Sequence, residues 1–342
     1  MTAETREAVL YEKLPGGRVR CHACGHRCTI LPGLDGICRV RGNRDGTLFA
    51  PWGYVAGAQV DPIEKKPFFH VLPGCEALSF GMLGCDFHCP YCQNWETSQS
   101  GRDPEASAPA RPTDPESLVA AAVRYGAPVL VSTYNEPLIT AEWAVAIFTL
   151  AKERGLLCGF VSNGNATPEA IAYLRPVADL YKVDLKGFRD AAYRELGGRL
   201  KPVLDSIGEL HAAGFWVEVV TLLVPGFNDG EEELGGIARF LASVSPDLPW
   251  HVTAFHPDYK MQAPRATTAA DLERAAAIGR EAGLRYVYAG NLPGAVGGLE
   301  DTICPGCGKA VVERTGYRVR AVRLSGGACA ACGTAIAGRW AA

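Results

Sequence analysis

The stretch "GCDFHCPYCQNW" (residues 84–95) places Cys85, Cys89 and Cys92 within eight residues. A structural zinc site closes on four ligands, and three thiolates fall one short. An iron–sulfur cube takes one cysteine thiolate per iron. A loop with three can hold the cube and leave one iron open to a small molecule that accepts an electron. The spacing C-x3-C-x2-C lets one short loop wrap three corners. Two readings compete with this one: a zinc site completed by His88 or a distant ligand, and a four-cysteine cluster completed by Cys75.

Eleven of the thirteen cysteines fall into tight groups, which in a reducing compartment point to metals rather than disulfides. The N-terminal group, Cys21, Cys24, Cys28 and Cys38, has the spacing C-x2-C-x3-C-x9-C. Four thiolates can surround one metal, and zinc is preferred there over a second cluster, with His22 and His26 as bystanders. The C-terminal group pairs Cys304 and Cys307 with Cys329 and Cys332 across 21 residues, close to the spacing of a zinc ribbon. An auxiliary cluster is the alternative. The residues between alternate as a hairpin would, and Arg318, Arg320 and Arg323 are too few for a nucleic-acid surface. Cys75 reads as a loop residue and Cys158 as a small buried apolar one.

The 342 residues are 48% hydrophobic and 21% charged, with a formal charge of −3. That balance suits a soluble globular chain and argues against nucleic acid or anionic membrane as partners. The opening residues lack the apolar core of a signal peptide, and no apolar run is long enough to span a bilayer, so a cytoplasmic protein is expected.

The groups at the cysteine loop need a scaffold. From about residue 76 to 292, apolar runs alternate with helical patterns, which implies βα units and a parallel sheet. Strands are expected at 77–83, 128–134, 156–163, 180–186, 216–224, 250–256 and 285–290. Helix starts are expected at a Thr113–Glu116 capping box, at Thr167 with Pro168 next, and near Thr268. Seven strands with intervening helices fit a TIM-like barrel or a doubly wound sheet, and periodicity does not separate them. In a barrel, a loop after the first strand lies on the face where catalytic groups gather.

C-x3-C-x2-C after a first strand resembles the signature of the radical S-adenosylmethionine (SAM) superfamily. That resemblance implies a partial TIM-like (β/α)6 barrel, a [4Fe–4S] cluster on Cys85, Cys89 and Cys92, and SAM on the fourth iron. It implies reductive cleavage of SAM to a 5′-deoxyadenosyl radical that abstracts hydrogen from a substrate. The remaining strand ends are read in that light. "TYNEP" keeps Glu136 and Pro137 of the family's Gly-Gly-Glu-Pro turn but has Tyr134 and Asn135 for its glycines, and Glu136 can accept from an ammonium. Ser162 and Asn163 suit the ribose or methionine end of SAM. Asp184 and Lys186 point the same way by alternation and resemble a pair in the glycyl-radical-enzyme activators. The turn "VPGFND" would offer backbone groups. His256 and Asn291 close the ring, and Tyr91 stands where the family has an aromatic residue near adenine.

The whole pattern resembles the pyruvate formate-lyase-activating-enzyme branch, and most closely the radical SAM component of the AmmeMemoRadiSam system. "EKKPFFH" (64–70), "VDLKGF", "HVTAFHPDYK" and the two flanking cysteine groups carry that resemblance. It implies a flavodoxin or ferredoxin as reductant, Memo-type and AMME-type partners, and a protein or peptide substrate. Modification of RNA or a small metabolite is the alternative, followed by a zinc-ribbon binding protein without catalysis. Three units are expected: residues 1–70 around the first cysteines, 71–292 as the barrel, and 293–342 as the ribbon.

Overall fold

The apolar runs become seven parallel strands in a computed structural model that describes residues 4–341. They are β1 (Glu76–Gly81), β2 (Val129–Ser132), β3 (Leu157–Ser162), β4 (Leu180–Asp184), β5 (Trp216–Leu223), β6 (Trp250–Ala254) and β7 (Val287–Gly290). The connecting helices are α1 (Pro115–Arg124), α2 (Ala141–Glu153), α3 (Pro168–Leu174), α4 (Leu200–Ala212), α5 (Glu231–Val244) and α6 (Ala269–Glu281). Each strand pairs in parallel with the next in chain order. A doubly wound sheet reverses its order at a switch point. This one does not, so the winding is that of a TIM-like barrel with six βα units and a seventh strand. An antiparallel strand, Gly57–Pro62, pairs with β1 and makes the eighth strand at that edge.

Alternation along the strands builds two layers. Leu78, Phe80, Tyr181, Val183, Val217 and Val219 face the helices in the main apolar core. Ala77, Val129, Val131 and Leu180 face inward and join Ile63, Phe68 and Val71 as the barrel floor. Each such Leu, Ile or Phe buried is worth about 1.5–3 kcal/mol. The site stands on this floor.

Helix starts follow local chemistry. Thr167 accepts from the Ala170 amide with Pro168 behind it, and Thr268 forms a capping box with Asp271. The expected Thr113 cap is corrected to Asp114, whose carboxylate takes the Ser117 amide at 2.7 Å. The Thr113 hydroxyl turns instead to the Arg111 carbonyl.

The open side of the barrel is filled by residues 64–70 and the C-terminal ribbon. Glu218 on β5 accepts from the amides of Phe69 (3.0 Å) and His70 (2.9 Å) and bonds His251 Nε2 at 2.7 Å. The His70 ring bridges the Tyr288 hydroxyl (2.5 Å) and the Ala337 carbonyl (2.6 Å). Arg314, on the ribbon hairpin of Ala310–Thr315 and Arg318–Val322, donates to the Phe69 carbonyl and faces Glu64 at 3.4 Å. At the other end, short antiparallel strands carry the first cysteine group. Among the described residues, no helix is long and apolar enough to cross a membrane.

Candidate active site

Gly84, three residues past the end of β1, has a φ of +92°, and a side chain there would meet Val40 at 2.7 Å. Its left-handed turn releases the loop that carries Cys85, Cys89 and Cys92 over the barrel mouth. All three thiols line one cavity of about 410 Å³. The Phe87 amide donates to Cys85 Sγ at 3.4 Å, and Cys92 Sγ lies 3.2 Å from the Ser98 hydroxyl. Burial pushes the Cys89 thiol up to about 12 and raises Cys92, so these sulfurs need cationic partners to ionise. The proposed fourth ligands are elsewhere. Cys75 packs beside the barrel floor, and His88 is exposed. Neither lines the cavity.

Glu136, at the end of β2, is 2% exposed and accepts from the Ser162 hydroxyl (2.7 Å) and the Asn163 amide (2.7 Å). Burial, then the charge of Asp86, pushes its carboxyl up to about 8. Asp86 follows Cys85 and takes one hydrogen bond from Asn163 Nδ2 (2.7 Å) and one from Asn165 Nδ2 (2.8 Å). The ends of β2 and β3 and the cysteine loop therefore share one buried polar net. Sequence reasoning missed Asp86. Its only signal was an acidic residue directly after the first cysteine of the loop.

On β4 and just past its end, Lys182, Asp184 and Lys186 all reach the cavity. Asp184 sits between the two ammonium groups, paired with Lys182 and 3.4 Å from Lys186. Against the upward push of burial, both lysines hold its carboxyl below the usual range. Lys182 was not foreseen, although it shares the inward face with Asp184 two residues on. Tyr91 is buried in the wall with its ring edge toward Phe227, 6.0 Å between centroids. Asn291 lines the mouth and donates to the Ala254 carbonyl; its amide oxygen meets the hydroxyl of Tyr317, from the ribbon hairpin turn, at 3.4 Å.

Two expectations differ. His256 lies outside the cavity wall; it is exposed and touches Gln93 at the rim. β6 stops at Ala254, so His251 and Thr253 are the inward residues of that strand. Residues 224–229 contribute no wall group. Asn228 instead ties that turn to the carbonyls of Lys186 and Leu222.

The sequence pattern of the Radical SAM superfamily matches residues 81–241, which run from the last residue of β1 into α5 and include the whole polar net. The chain is 38% identical over 321 residues to the uncharacterized protein MJ0808 of Methanocaldococcus jannaschii, covering 93% of this chain and 94% of that one. This chain belongs to the radical SAM superfamily. Within it, the chain is 24% identical over 193 residues to the pyruvate formate-lyase-activating enzyme of Streptococcus mutans, covering 54% of this chain and 72% of that enzyme. The crystal structure of a radical SAM methyltransferase from Sphaerobacter thermophilus shares the fold, with a TM-score of 0.50 at 18% identity over 73% of this chain and 75% of that one. As a superfamily member the chain is an enzyme of iron–sulfur chemistry, and the donor set fits: three soft thiols on one loop beside a cavity with no other cysteine in its wall.

The four ribbon cysteines also come together, with Cys304 and Cys332 sulfurs 3.6 Å apart and Cys307 and Cys329 sulfurs 3.8 Å apart. All four sulfurs lie within 4.8 Å of one another, as one tetrahedral ion requires. The Thr334 hydroxyl and amide pull the exposed Cys332 thiol down to about 6, readying it for such an ion.

Proposed function

We propose that this radical SAM enzyme holds a [4Fe–4S] cluster on Cys85, Cys89 and Cys92, cleaves SAM reductively, and takes hydrogen from a protein or peptide. The observation that carries the reading is three thiols at one cavity with neither Cys75 nor His88 in its wall. When bound, cluster and SAM supply a one-electron cleavage that yields a carbon radical. The chain's own residues bind and orient. Glu136, fixed by Ser162 and Asn163, is placed to accept from the SAM ammonium, and an arriving cation favours its ionised form. Lys186 and Lys182, which share the single carboxylate of Asp184, leave a surplus positive charge for the SAM carboxylate. Tyr91 supplies an aromatic face for adenine, and Asn291 with Tyr317 edges the mouth.

Zinc in the ribbon, supported by the spacing and clustering of its four cysteines, and a division into units at 1–70, 71–292 and 293–342, supported by the changes of sequence pattern, belong to the same reading. A flavodoxin or ferredoxin reductant and Memo-type and AMME-type partners rest on the sequence resemblance. The test is anaerobic turnover with SAM and dithionite. Cys89→Ala is expected to abolish 5′-deoxyadenosine formation, and a variant that cleaves SAM at the wild-type rate overturns the assignment.

A further inference from the structure

The cavity has two kinds of wall. The ends of β2 to β4 carry charged and amide groups that bond one another, and these are the groups proposed for SAM. Within β5 to β7 the wall is mostly apolar, from Val220, Leu222 and Gly290, and its polar side chains are His251 and Thr253. The strand registers set Asp184 beside Val220 and Val220 beside His251, so the imidazole stands level with that carboxylate in the sheet. The ring is held from behind. Glu218, fully buried and outside the cavity wall, accepts from the Phe69 and His70 amides and from Trp216 Nε1 at 2.9 Å, and it meets His251 Nε2 at 2.7 Å. Against the upward push of burial, the His251 bond holds the Glu218 carboxyl below its usual range. An ionised carboxylate only accepts, so Nε2 carries the proton and the neutral ring keeps its lone pair on Nδ1. Phe69 packs at right angles to the ring, 4.8 Å between centroids, and Tyr288 stacks on it at 5.0 Å.

Nδ1 has no hydrogen-bond partner among the described residues, yet it is not one of the enclosed polar atoms, so it opens to the cavity that the ring lines. His251 is only 2% exposed, and a polar atom on so buried a side chain normally finds a partner. We infer that His251 Nδ1 is a substrate subsite, accepting a hydrogen bond from an N–H donor of the protein or peptide, with Glu218 as the positioning residue that fixes the tautomer. The donor follows from the substrate class, since every residue of a peptide except proline brings a backbone N–H. Val220 and Leu222 give the apolar surface beside it, and the Thr253 hydroxyl lies two residues farther along the same face. A backbone amide held on Nδ1 fixes the C–H groups next to it, which is the orientation that hydrogen abstraction needs. The inference deepens the proposed reading of a protein or peptide substrate and rests on it.

The test needs neither turnover nor a variant. The anaerobic holoenzyme is treated with diethyl pyrocarbonate, which acylates an unprotonated imidazole nitrogen, and the modified histidines are mapped by peptide mass. His251 is expected to react. His70, whose two ring nitrogens are both bonded, is expected to resist. The reaction is then repeated with N-methylacetamide, which has an amide N–H, and with N,N-dimethylacetamide, which has none. N-methylacetamide should protect His251 at a concentration about two- to tenfold lower, the worth of one hydrogen bond. A His251 that does not react, or one that the two amides protect equally, overturns the inference. A third arm adds SAM alone. His251 that stays reactive supports a separate subsite, and His251 shielded by SAM as fully as by the amide gives the imidazole to SAM and overturns it. The radical assignment is judged by 5′-deoxyadenosine and this one by acylation, so either can fail without the other.

Discussion

Burying a carboxylate costs several kcal/mol unless its lone pairs are filled, and Asp86, with no exposed surface, has them filled by two amide groups. Asp86→Asn keeps the shape but sets an amide donor against the Asn163 and Asn165 donors. We expect a loss of about 2 kcal/mol in chemical denaturation, the cost of an unsatisfied buried polar group. An unchanged midpoint sinks the account of the net. The same change removes the charge that helps hold Glu136 near 8, so SAM binding, followed by calorimetry from pH 6 to 9, should gain its full strength at lower pH than in wild type. An identical pH profile shows that Asp86 does not act on Glu136. Little at this scale was legible beforehand. Cys85, Cys89, Cys92 and Glu136 announce themselves by spacing or by a turn. Asp86 and Lys182 act through neighbours distant in the chain, and only the folded barrel brings those neighbours up.

At the scale of the elements, the junction of β1 and β2 sets the mouth. Tyr134 has a φ of +71°, left-handed backbone that favours glycine. Its hydroxyl bonds Ser79 at 2.8 Å, and its ring lies under Lys66, which helps hold the tyrosine there. Gly81 makes room, since a side chain would collide with the Thr133 carbonyl and with Tyr134. Gly81→Ala should therefore cost about 1–3 kcal/mol and weaken SAM binding by displacing Glu136; a stable variant with intact affinity contradicts the packing. The seven parallel strands were readable because buried parallel strands are continuous apolar runs. The edge strand Gly57–Pro62 was not, because "GAQVDP" has one strongly apolar residue and takes its conformation from pairing with β1. His256 was misplaced because the sixth strand was expected to run to residue 256, two residues past the observed end of β6.

Across the whole molecule, residues 64–70 and the ribbon meet at His70, whose ring burial holds its pKa down to about 4. The folded state binds this proton more weakly than the unfolded chain, whose histidine titrates near 6.5. Stability from this residue is therefore complete above about 6.5 and is lost as the pH falls toward 4. Between pH 6.5 and 5 the loss should be about 2 kcal/mol, and His70→Gln should remove that part of the slope; equal slopes rule it out. The contacts of His70 have a further consequence. Tyr288, Arg314 and Ala337 come long after the cysteine loop in chain order, yet they hold the segment that closes the side of the barrel. A nascent chain thus carries its cysteine loop for some time behind an unfinished wall, and iron delivered then would arrive before the chamber can be sealed.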